Sequence, residues 1–326
     1  MERLCGFCGF CVDRVHNLLI LSRHADSYRR LIESARLPQL ETISATQPTD
    51  LPPLAHNSDV LLGEPSLIRD VLARLQNLRW VQATWAGVEP LLDPSLRRDY
   101  VLTNARGVFG RLMSEYVFGY LIARERLMFE KHAAQLAGRW DPTPPGTLRG
   151  KLLGLLGVGS IGAALAQTAK HFGMRVKGYT RASEGCSNVD TYFHGDAIEA
   201  FAADLDYLVC VMPHTAETRH LVDTKLLAAL PARAVFVNPG RGTVVDEAAL
   251  AAALREGRLA GAVLDVFQQE PLPADHVFWR MPNVIITSHT AALSVPADIA
   301  SVFIDNYRRW VASEPLQYQV DFERGY

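Results

Sequence analysis

The sequence predicts an α/β fold with two units built on parallel sheets, and three observations lead to this prediction. Six short apolar runs follow one another in the second half of the chain, separated by helical patterns or loops. The first run passes directly into a glycine-rich turn and an amphipathic helix. The N-terminal third repeats this alternation on a smaller scale, and 326 residues are enough for two separate cores.

The N-terminal unit contains apolar runs that predict three strands, at residues 18–21, 59–63 and 78–82. Between the first two, the spacing in 24–35 predicts an amphipathic helix. The small-residue turn Ala86-Gly87-Val88 follows the third strand. A long helix is then expected over 113–132, before the segment 141–146, which is rich in helix breakers.

The glycine-rich turn follows the apolar run 151–156 and has the sequence Gly157-Val158-Gly159-Ser160-Ile161-Gly162. In a strand, turn and helix unit of this kind, the first glycine makes the tight turn and the second lets the backbone approach a pyrophosphate. The third lets the helix pack closely on the strand, and the helix N-terminus faces the anion. Glycine-rich turns also close ordinary βα units, so the interpretation of this turn as a dinucleotide site depends on the apolar runs that follow it.

Each of the next five runs ends in residues that suit a ligand site. In order, they lead to Thr180-Arg181, to Met212-Pro213-His214, to Asn238-Pro239-Gly240-Arg241-Gly242, to Asp265 and then Glu270, and to Ser288-His289. Ligands of an open, doubly wound parallel sheet bind beyond the carboxyl ends of its strands, so these residues are expected in one crevice. An arginine, a glutamate and a histidine beside a dinucleotide form a constellation suited to catalysis.

These segments resemble the D-isomer-specific 2-hydroxyacid dehydrogenases, and within them the glyoxylate and hydroxypyruvate reductases. The resemblance rests on the glycine turn, on NPGRGTVVDEAAL at 238–250, on GAVLDVFQQEPLP at 261–273 and on ITSHTAA at 286–292. The loop WAGVEPLL at 85–92 and the ending VDFERGY at 320–326 are similar to the glyoxylate reductase branch. Nearly the whole chain therefore takes part in the resemblance.

The resemblance implies an enzyme that reduces a small 2-keto acid to the D-2-hydroxy acid. His289 is expected to donate the proton to the carbonyl oxygen, while Glu270 orients it and stabilises its cationic form. Arg241 lies between two glycines and is expected to bind the substrate carboxylate and polarise the carbonyl. Glu270 stands where formate dehydrogenases have glutamine, which argues against oxidation of formate by this protein.

The turn Ala86-Gly87-Val88 is similar to the family loop whose backbone N–H groups bind the substrate carboxylate. Trp85 precedes it and has two interpretations: it packs in the core, or it narrows the pocket toward small substrates. Trp140 resembles a family position that reaches the active site of a neighbouring subunit, although a hinge contact fits it equally. The resemblance implies a homodimer.

The residues after the second strand of the cofactor unit depart from the usual NAD pattern. That pattern places Asp or Glu about 20 residues beyond the glycine turn, to accept a hydrogen bond from the ribose 2′-hydroxyl. Thr180 and Arg181 stand there instead, and a hydroxyl with a guanidinium suits a 2′-phosphate, although Arg181 pointing into solvent is the alternative. NADPH is the predicted cofactor, with NADH as the second choice. Further cofactor contacts are expected at Gly157, Val158, Gly159, Ser160, Ile161, Gly162, Met212, Pro213, Thr218, Pro239, Asp265 and Ala291.

The resemblance also implies a discontinuous arrangement of domains. Residues 1–112 and 293–326 are expected to form a smaller, flavodoxin-like substrate domain. Residues 113–292 are expected to form a Rossmann-type, doubly wound cofactor domain. The helix over 113–132 would then cross from the first domain to the second.

Composition excludes several classes of function. The formal net charge of -2 gives no reason to expect nucleic acid or an anionic membrane as partner. The sequence contains no apolar stretch of membrane-spanning length and no recognisable secretory signal, so a cytoplasmic enzyme is expected. Cys5, Cys8 and Cys11 have the spacing of metal ligands but no fourth ligand nearby, so no metal is expected.

Two alternatives stay open at this point. One is a related dehydrogenase with another 2-hydroxy acid as substrate, because the side-chain pocket depends on geometry that the sequence does not show. The other is a dinucleotide-sensing corepressor, since relatives of that kind keep the arginine, the glutamate and the histidine.

Overall fold

The computed structural model describes residues 15–325, and the contacts among them define two compact units. The first comprises the described residues up to Arg106 together with those from Ser294 onward, and the second is Gly107–Leu293. The expected domain boundaries stood at 112–113 and 292–293. Within residues 15–325, no helix combines the length and apolar character needed to cross a membrane.

The first unit begins with a five-stranded sheet. Its elements are β1 (His16–Leu21), α1 (Ala25–Ser34), β2 (Leu40–Ala45), β3 (Val60–Gly63), α2 (Pro65–Val71), β4 (Trp80–Ala83) and β5 (Val101–Thr103). The strand order is β2-β1-β3-β4-β5, with all neighbours parallel. The apolar runs that predicted β1, β3 and β4 are almost fully buried, as is usual in a parallel sheet with helices on its faces.

The second unit contains a seven-stranded sheet. Its elements are α3 (Gly110–Glu125), α4 (Met128–Leu136), β6 (Leu152–Leu156), α5 (Ser160–His171), β7 (Arg175–Tyr179), β8 (Thr191–Phe193), α6 (Ile198–Ala202), β9 (Tyr207–Cys210), α7 (Thr224–Ala229), β10 (Val235–Asn238), α8 (Glu247–Arg255), β11 (Gly261–Leu264) and β12 (Val284–Ile286). The strand order is β12-β11-β10-β9-β6-β7-β8, and every neighbouring pair is parallel. The predicted doubly wound α/β fold is therefore confirmed. The topology switches beside β6, because the chain builds β7 and β8 on one side and then β9 on the other.

The single long helix predicted over 113–132 is wrong. The chain forms α3 and α4, separated by Leu127 in a left-handed conformation with φ of 52°. The carbonyl oxygen of Glu125 accepts a hydrogen bond from the N–H of Gly146 at 2.7 Å, so a returning segment satisfies the end of α3. This tertiary hydrogen bond has no local signal in the sequence.

The C-terminal helix α9 (Pro296–Val311) packs within the first unit. The ring of Trp80 stacks on Phe303 with centroids 5.2 Å apart. Asn306 is fully buried, and its side-chain amide donates to Gln82 at 3.1 Å. The two ends of this unit are therefore joined by stacked aromatic rings and by a buried hydrogen bond between side chains.

Candidate active site

The glycine turn lies between the buried strand β6 and α5. Gly157 has φ of 95°, which favours glycine, and a Cβ on Gly162 would lie 2.3 Å from the carbonyl oxygen of Gly157. The turn therefore folds tightly onto the start of α5, while Gly159 and Ser160 are exposed. Exposed backbone at the N-terminus of a helix of this length suits a pyrophosphate, so the turn fits a dinucleotide.

The loop after β9 packs beside this turn. A Cβ on Gly157 would lie 3.2 Å from Cγ of Met212, which is itself buried. Further along the loop, the hydroxyl of Thr218 donates to the carbonyl of Pro213 at 2.7 Å. These predicted cofactor residues thus form one structured loop next to the glycine turn, and their contacts to the cofactor remain predictions.

Arg241 is held by the turn that follows β10. The buried side chain of Asn238 donates to the Arg241 carbonyl at 3.1 Å and accepts from the N–H of Gly240 at 3.1 Å. The Arg241 guanidinium donates to the carbonyl of Gly240 at 2.8 Å. Pro239 is buried in the same turn, so the backbone that carries Arg241 is fixed from both sides.

Gly242 brings the Arg241 turn against the segment that leads to Glu270. A Cβ at Gly242 would lie 1.9 Å from the carbonyl carbon of Phe267, so no side chain fits there without backbone movement. The N–H of Phe267 in turn donates to Glu270 Oε1 at 2.9 Å. The glycine therefore sets how closely the arginine turn and the glutamate loop approach.

His289 lies in a turn organised by Asp265. His289 has φ of 56°, an uncommon conformation for a residue with a side chain, and its N–H donates to the Asp265 carbonyl at 2.8 Å. The almost fully buried Asp265 carboxylate accepts from the Thr287 hydroxyl and from the N–H groups of Thr290 (2.8 Å) and Ala291 (3.0 Å). Asp265 and Ala291, both predicted as cofactor contacts, thus bind each other and hold the histidine turn.

His289 and Glu270 form a hydrogen-bonded pair with 2.7 Å between Nδ1 and Oε2. This bond raises the pKa of His289 above its ordinary value of 6.5, although burial and the nearby Arg241 oppose the shift. Burial would raise the pKa of Glu270, but its bonds with His289 and the Phe267 N–H outweigh burial and lower it. Glu270 is therefore an ionised acceptor, and Nε2 of His289 is left as the position for a transferable proton.

The two residues after β7 that are predicted to contact the cofactor differ in exposure, and their contacts to the cofactor remain predictions. The Thr180 hydroxyl donates to the carbonyl of Ser183 at 2.7 Å and is mostly buried, so it is engaged within its own loop. Arg181 binds Glu217, with 2.5 Å between Nη2 and Oε2, and the two side chains are 59% and 71% exposed. Of the two residues, Arg181 is therefore the one that presents its side chain at this loop.

The substrate loop of the first unit follows β4. The carbonyl of Trp85 accepts from the N–H of Ala105 at 3.0 Å, and the carbonyl of Ala86 accepts from the Asn104 side chain at 2.8 Å. Val88 is buried, which anchors the end of the turn, and Gly87 is partly exposed. Trp85 is 37% exposed, so the interpretation that it packs in the core is wrong. Carboxylate binding by the N–H groups of this loop stays a prediction.

Sequence reasoning missed Glu217 and the structural role of Asn238. Glu217 meets Arg181 across 36 positions of the chain, and only the position of both loops at one edge of the sheet indicates the contact. Cys5, Cys8 and Cys11 lie outside the described residues. Among residues 15–325, no group of three or more His, Cys, Asp or Glu side chains is placed to hold a metal ion.

A doubly wound sheet, a glycine turn at its topological switch and an acid–base pair at the carboxyl ends of its strands define a nicotinamide-dependent dehydrogenase. Residues 118–291 match the NAD binding domain of the D-isomer specific 2-hydroxyacid dehydrogenases. Glyoxylate/hydroxypyruvate reductase A of Klebsiella pneumoniae subsp. pneumoniae is 32% identical over 256 residues, which cover 76% of this chain and 82% of the reductase.

Two solved structures are similar over almost the whole chain. A D-isomer specific 2-hydroxyacid dehydrogenase family protein from Aeromonas salmonicida subsp. salmonicida A449 has a TM-score of 0.90 at 42% identity, covering 94% of this chain and 99% of that one. The D-isomer specific 2-hydroxyacid dehydrogenase from Xanthobacter autotrophicus Py2, in complex with NADPH and MES, has a TM-score of 0.86 at 33% identity, covering 96% and 100%. This chain belongs to the D-isomer specific 2-hydroxyacid dehydrogenases, in the glyoxylate/hydroxypyruvate reductase branch, and is an NAD(P)-dependent enzyme. The family resemblance found in the sequence is thereby confirmed.

Proposed function

We propose that this enzyme reduces a small 2-keto acid, such as glyoxylate or hydroxypyruvate, to the D-2-hydroxy acid with NADPH. The observation that carries the proposal is the His289–Glu270 pair, hydrogen-bonded at 2.7 Å. Arg241 lies close enough for its charge to lower the pKa of His289, against the larger opposite effect of Glu270. A proton donor beside a guanidinium suits a carbonyl next to a carboxylate. The Klebsiella reductase supports the substrate class, and the Xanthobacter complex supports the cofactor.

The three side chains divide the work of the reduction. When NADPH is bound, its nicotinamide ring supplies the hydride for the carbonyl carbon. His289 donates the Nε2 proton to the carbonyl oxygen, and Glu270 stabilises the imidazolium that precedes this transfer. Arg241 binds the carboxylate through its planar fork and draws electron density from the carbonyl. After this transfer His289 is neutral, and in the reverse direction it accepts the proton from the hydroxyl group of the hydroxy acid.

The binding residues lie along the carboxyl ends of the strands. The glycine turn at 157–162 is proposed to hold the pyrophosphate, and Arg181 the 2′-phosphate. The turn Ala86-Gly87-Val88, in the first unit, is proposed to bind the substrate carboxylate through its backbone N–H groups. Trp85, being partly exposed, is proposed to limit the size of the substrate.

Turnover with defined keto acids tests this function. Purified enzyme is mixed with NADPH and either glyoxylate or hydroxypyruvate, and NADPH consumption is followed by its absorbance. We expect saturable turnover with both acids and D-glycerate as the product from hydroxypyruvate, assigned by chiral chromatography. No turnover with either acid, or formation of L-glycerate, would contradict the proposal.

A homodimer is proposed as the working assembly, and the cytoplasm as its location. The segment after α3 carries apolar side chains that are at least half exposed, namely Met128, Phe129, Leu136 and Trp140. A second copy of the chain would cover such a surface, since exposed apolar patches commonly mark interfaces. Light scattering coupled to size exclusion checks the dimer, and a monomeric mass at micromolar concentration would reject it.

A further inference from the structure

The loops after β7 and β9 are joined by the ion pair between Arg181 and Glu217, at 2.5 Å. Strands β7 and β9 are the two neighbours of β6 in the sheet. The ion pair therefore connects the two loops on either side of the glycine turn that follows β6. Met212, in the second loop, packs against Gly157, which ties that loop to the turn. Glu217 is thus brought to the region where the adenosine ribose of a bound dinucleotide is expected.

A guanidinium and a carboxylate recognise different forms of that ribose. A guanidinium binds the 2′-phosphate of NADPH, and a carboxylate accepts a hydrogen bond from the 2′-hydroxyl of NADH. The usual place for the carboxylate is directly after β7, and Thr180 and Arg181 occupy it here. Glu217, from the loop after a different strand, brings a carboxylate to the Arg181 guanidinium. Both recognition groups are therefore present, although the local sequence after β7 shows only one.

We propose that Glu217 sets the balance between NADPH and NADH, by accepting a hydrogen bond from the 2′-hydroxyl of NADH and opposing the 2′-phosphate of NADPH. The enzyme then uses both cofactors, and its preference reflects the opposed effects of Arg181 and Glu217. This inference deepens the proposed function, since it concerns the cofactor of the same site.

The charges explain the two directions of the effect. A 2′-phosphate replaces Glu217 as the partner of Arg181, and the displaced carboxylate remains nearby as a like charge. A 2′-hydroxyl carries no charge, so the ion pair persists. The hydroxyl then donates a charge-assisted hydrogen bond to the Glu217 carboxylate. Glu217 is 71% exposed, so its side chain can turn without disturbing the core.

The substitution Glu217→Gln keeps the shape of the side chain and removes its charge. We expect kcat/KM with NADH to fall by about tenfold, because a charge-assisted hydrogen bond becomes a weaker neutral one. With NADPH, kcat/KM should rise by about threefold, since charge interactions at exposed sites are weak. The matched control is Glu199→Gln, which also breaks an exposed ion pair at 2.5 Å, with Lys225. This control should leave the ratio between the cofactors unchanged.

Binding measurements separate a direct role of Glu217 from an indirect one through Arg181. Dissociation constants for NADH and NADPH are measured by fluorescence, without keto acid, for Glu217→Gln, Arg181→Ala and the double variant. A direct role predicts that Glu217→Gln weakens NADH binding whether Arg181 is intact or already replaced by alanine.

Two results would overturn the inference. If Glu217→Gln weakens NADPH binding as Arg181→Ala does, Glu217 only orients the arginine. If it changes neither cofactor, the pair is an ordinary surface ion pair. Failure of the proposed function is a separate result, because it appears as absent keto-acid turnover while these binding constants remain measurable.

Discussion

The two ends of the dinucleotide site are built in contrasting ways. Around His289 and Arg241, the backbone is held by the buried side chains of Asp265 and Asn238 and by the close contact at Gly242. Around Arg181, the side chains are exposed, and an ion pair in contact with solvent joins the loops after β7 and β9. Chemistry on the substrate needs atoms held within a fraction of an ångström, whereas recognition of a phosphate needs mainly charge. Under the proposed mechanism, buried hydrogen bonds fix the backbone that carries the reacting side chains, and an exposed ion pair lies where the cofactor ribose is expected to bind.

The greatest loss of activity is expected when one of the two proposed reacting side chains, His289 or Arg241, is removed. His289→Ala and Arg241→Ala should each lower kcat for keto-acid reduction by about 10²–10⁴-fold, because proton transfer or carboxylate binding is lost. Calorimetric dissociation constants for NADPH should stay close to those of the original enzyme, since the glycine turn is untouched. Near-normal kcat in either variant would remove that residue from the proposed chemistry.

A second effect tests whether the close contact at Gly242 holds the catalytic end together. Gly242→Ala should lower the free energy of unfolding by about 3 kcal/mol and kcat by about 100-fold, because backbone must move between Arg241 and Glu270. The control is Gly119→Ala in α3, where a Cβ meets nothing within 4 Å and alanine should stabilise the helix by about 0.5–1 kcal/mol. Denaturant unfolding and steady-state kinetics measure both, and equal behaviour of the two variants would count against the role of Gly242.

The pH dependence of Glu270→Gln tests the coupling within the acid–base pair. Glu270 raises the pKa of His289, and the proposed mechanism requires protonated His289 for reduction. Under it, kcat/KM for reduction should decrease as pH rises through that raised pKa. Without the carboxylate, the pKa falls, and the decrease should begin at lower pH, with a loss of about tenfold near neutrality. Oxidation of the hydroxy acid needs neutral His289 and should extend to lower pH. An unchanged inflection would show that another group titrates.

At Arg181 we expect an effect on cofactor binding rather than on the chemical step, and one that depends on salt. Arg181→Ala should raise KM for NADPH by about tenfold at low ionic strength and leave KM for NADH nearly unchanged. Because exposed charges are screened, this difference should shrink as salt is added, while the kcat loss of His289→Ala should not. A salt-independent KM effect would indicate that Arg181 acts through the packing of its loop.

Much of the fold could be predicted because buried parallel strands are continuous apolar runs. Strand β6 (Leu152–Leu156) lies within the predicted run 151–156, and β9 and β10 end within two residues of the segments that begin at Met212 and Asn238. Strands β2 and β8 lie at sheet edges, where LETISA and TYF are only partly buried and show no such run. The sequence pattern predicts one helix where the structure has α3 and α4. A hydrogen bond from Gly146 satisfies the end of α3, and this contact has no local signal in the sequence.

Local sequence patterns alone were enough to identify the family of this protein and the candidate residues at the ends of its strands. The glycine turn, Arg241, Glu270 and His289 each follow a strand, and parallel strands bring their carboxyl ends to one edge whatever the side-chain details. Short-range pattern and sheet geometry are sufficient for that result.

The contacts among the residues at this edge depend on the packing of the whole domain. It turns the Thr180 hydroxyl toward Ser183, makes Asp265 the acceptor for the histidine turn, and brings Glu217 to Arg181. Most of these contacts join residues that lie on different loops. Their outcome depends on distances of a few ångströms, which are set when the whole domain packs and not by the pattern of any single segment.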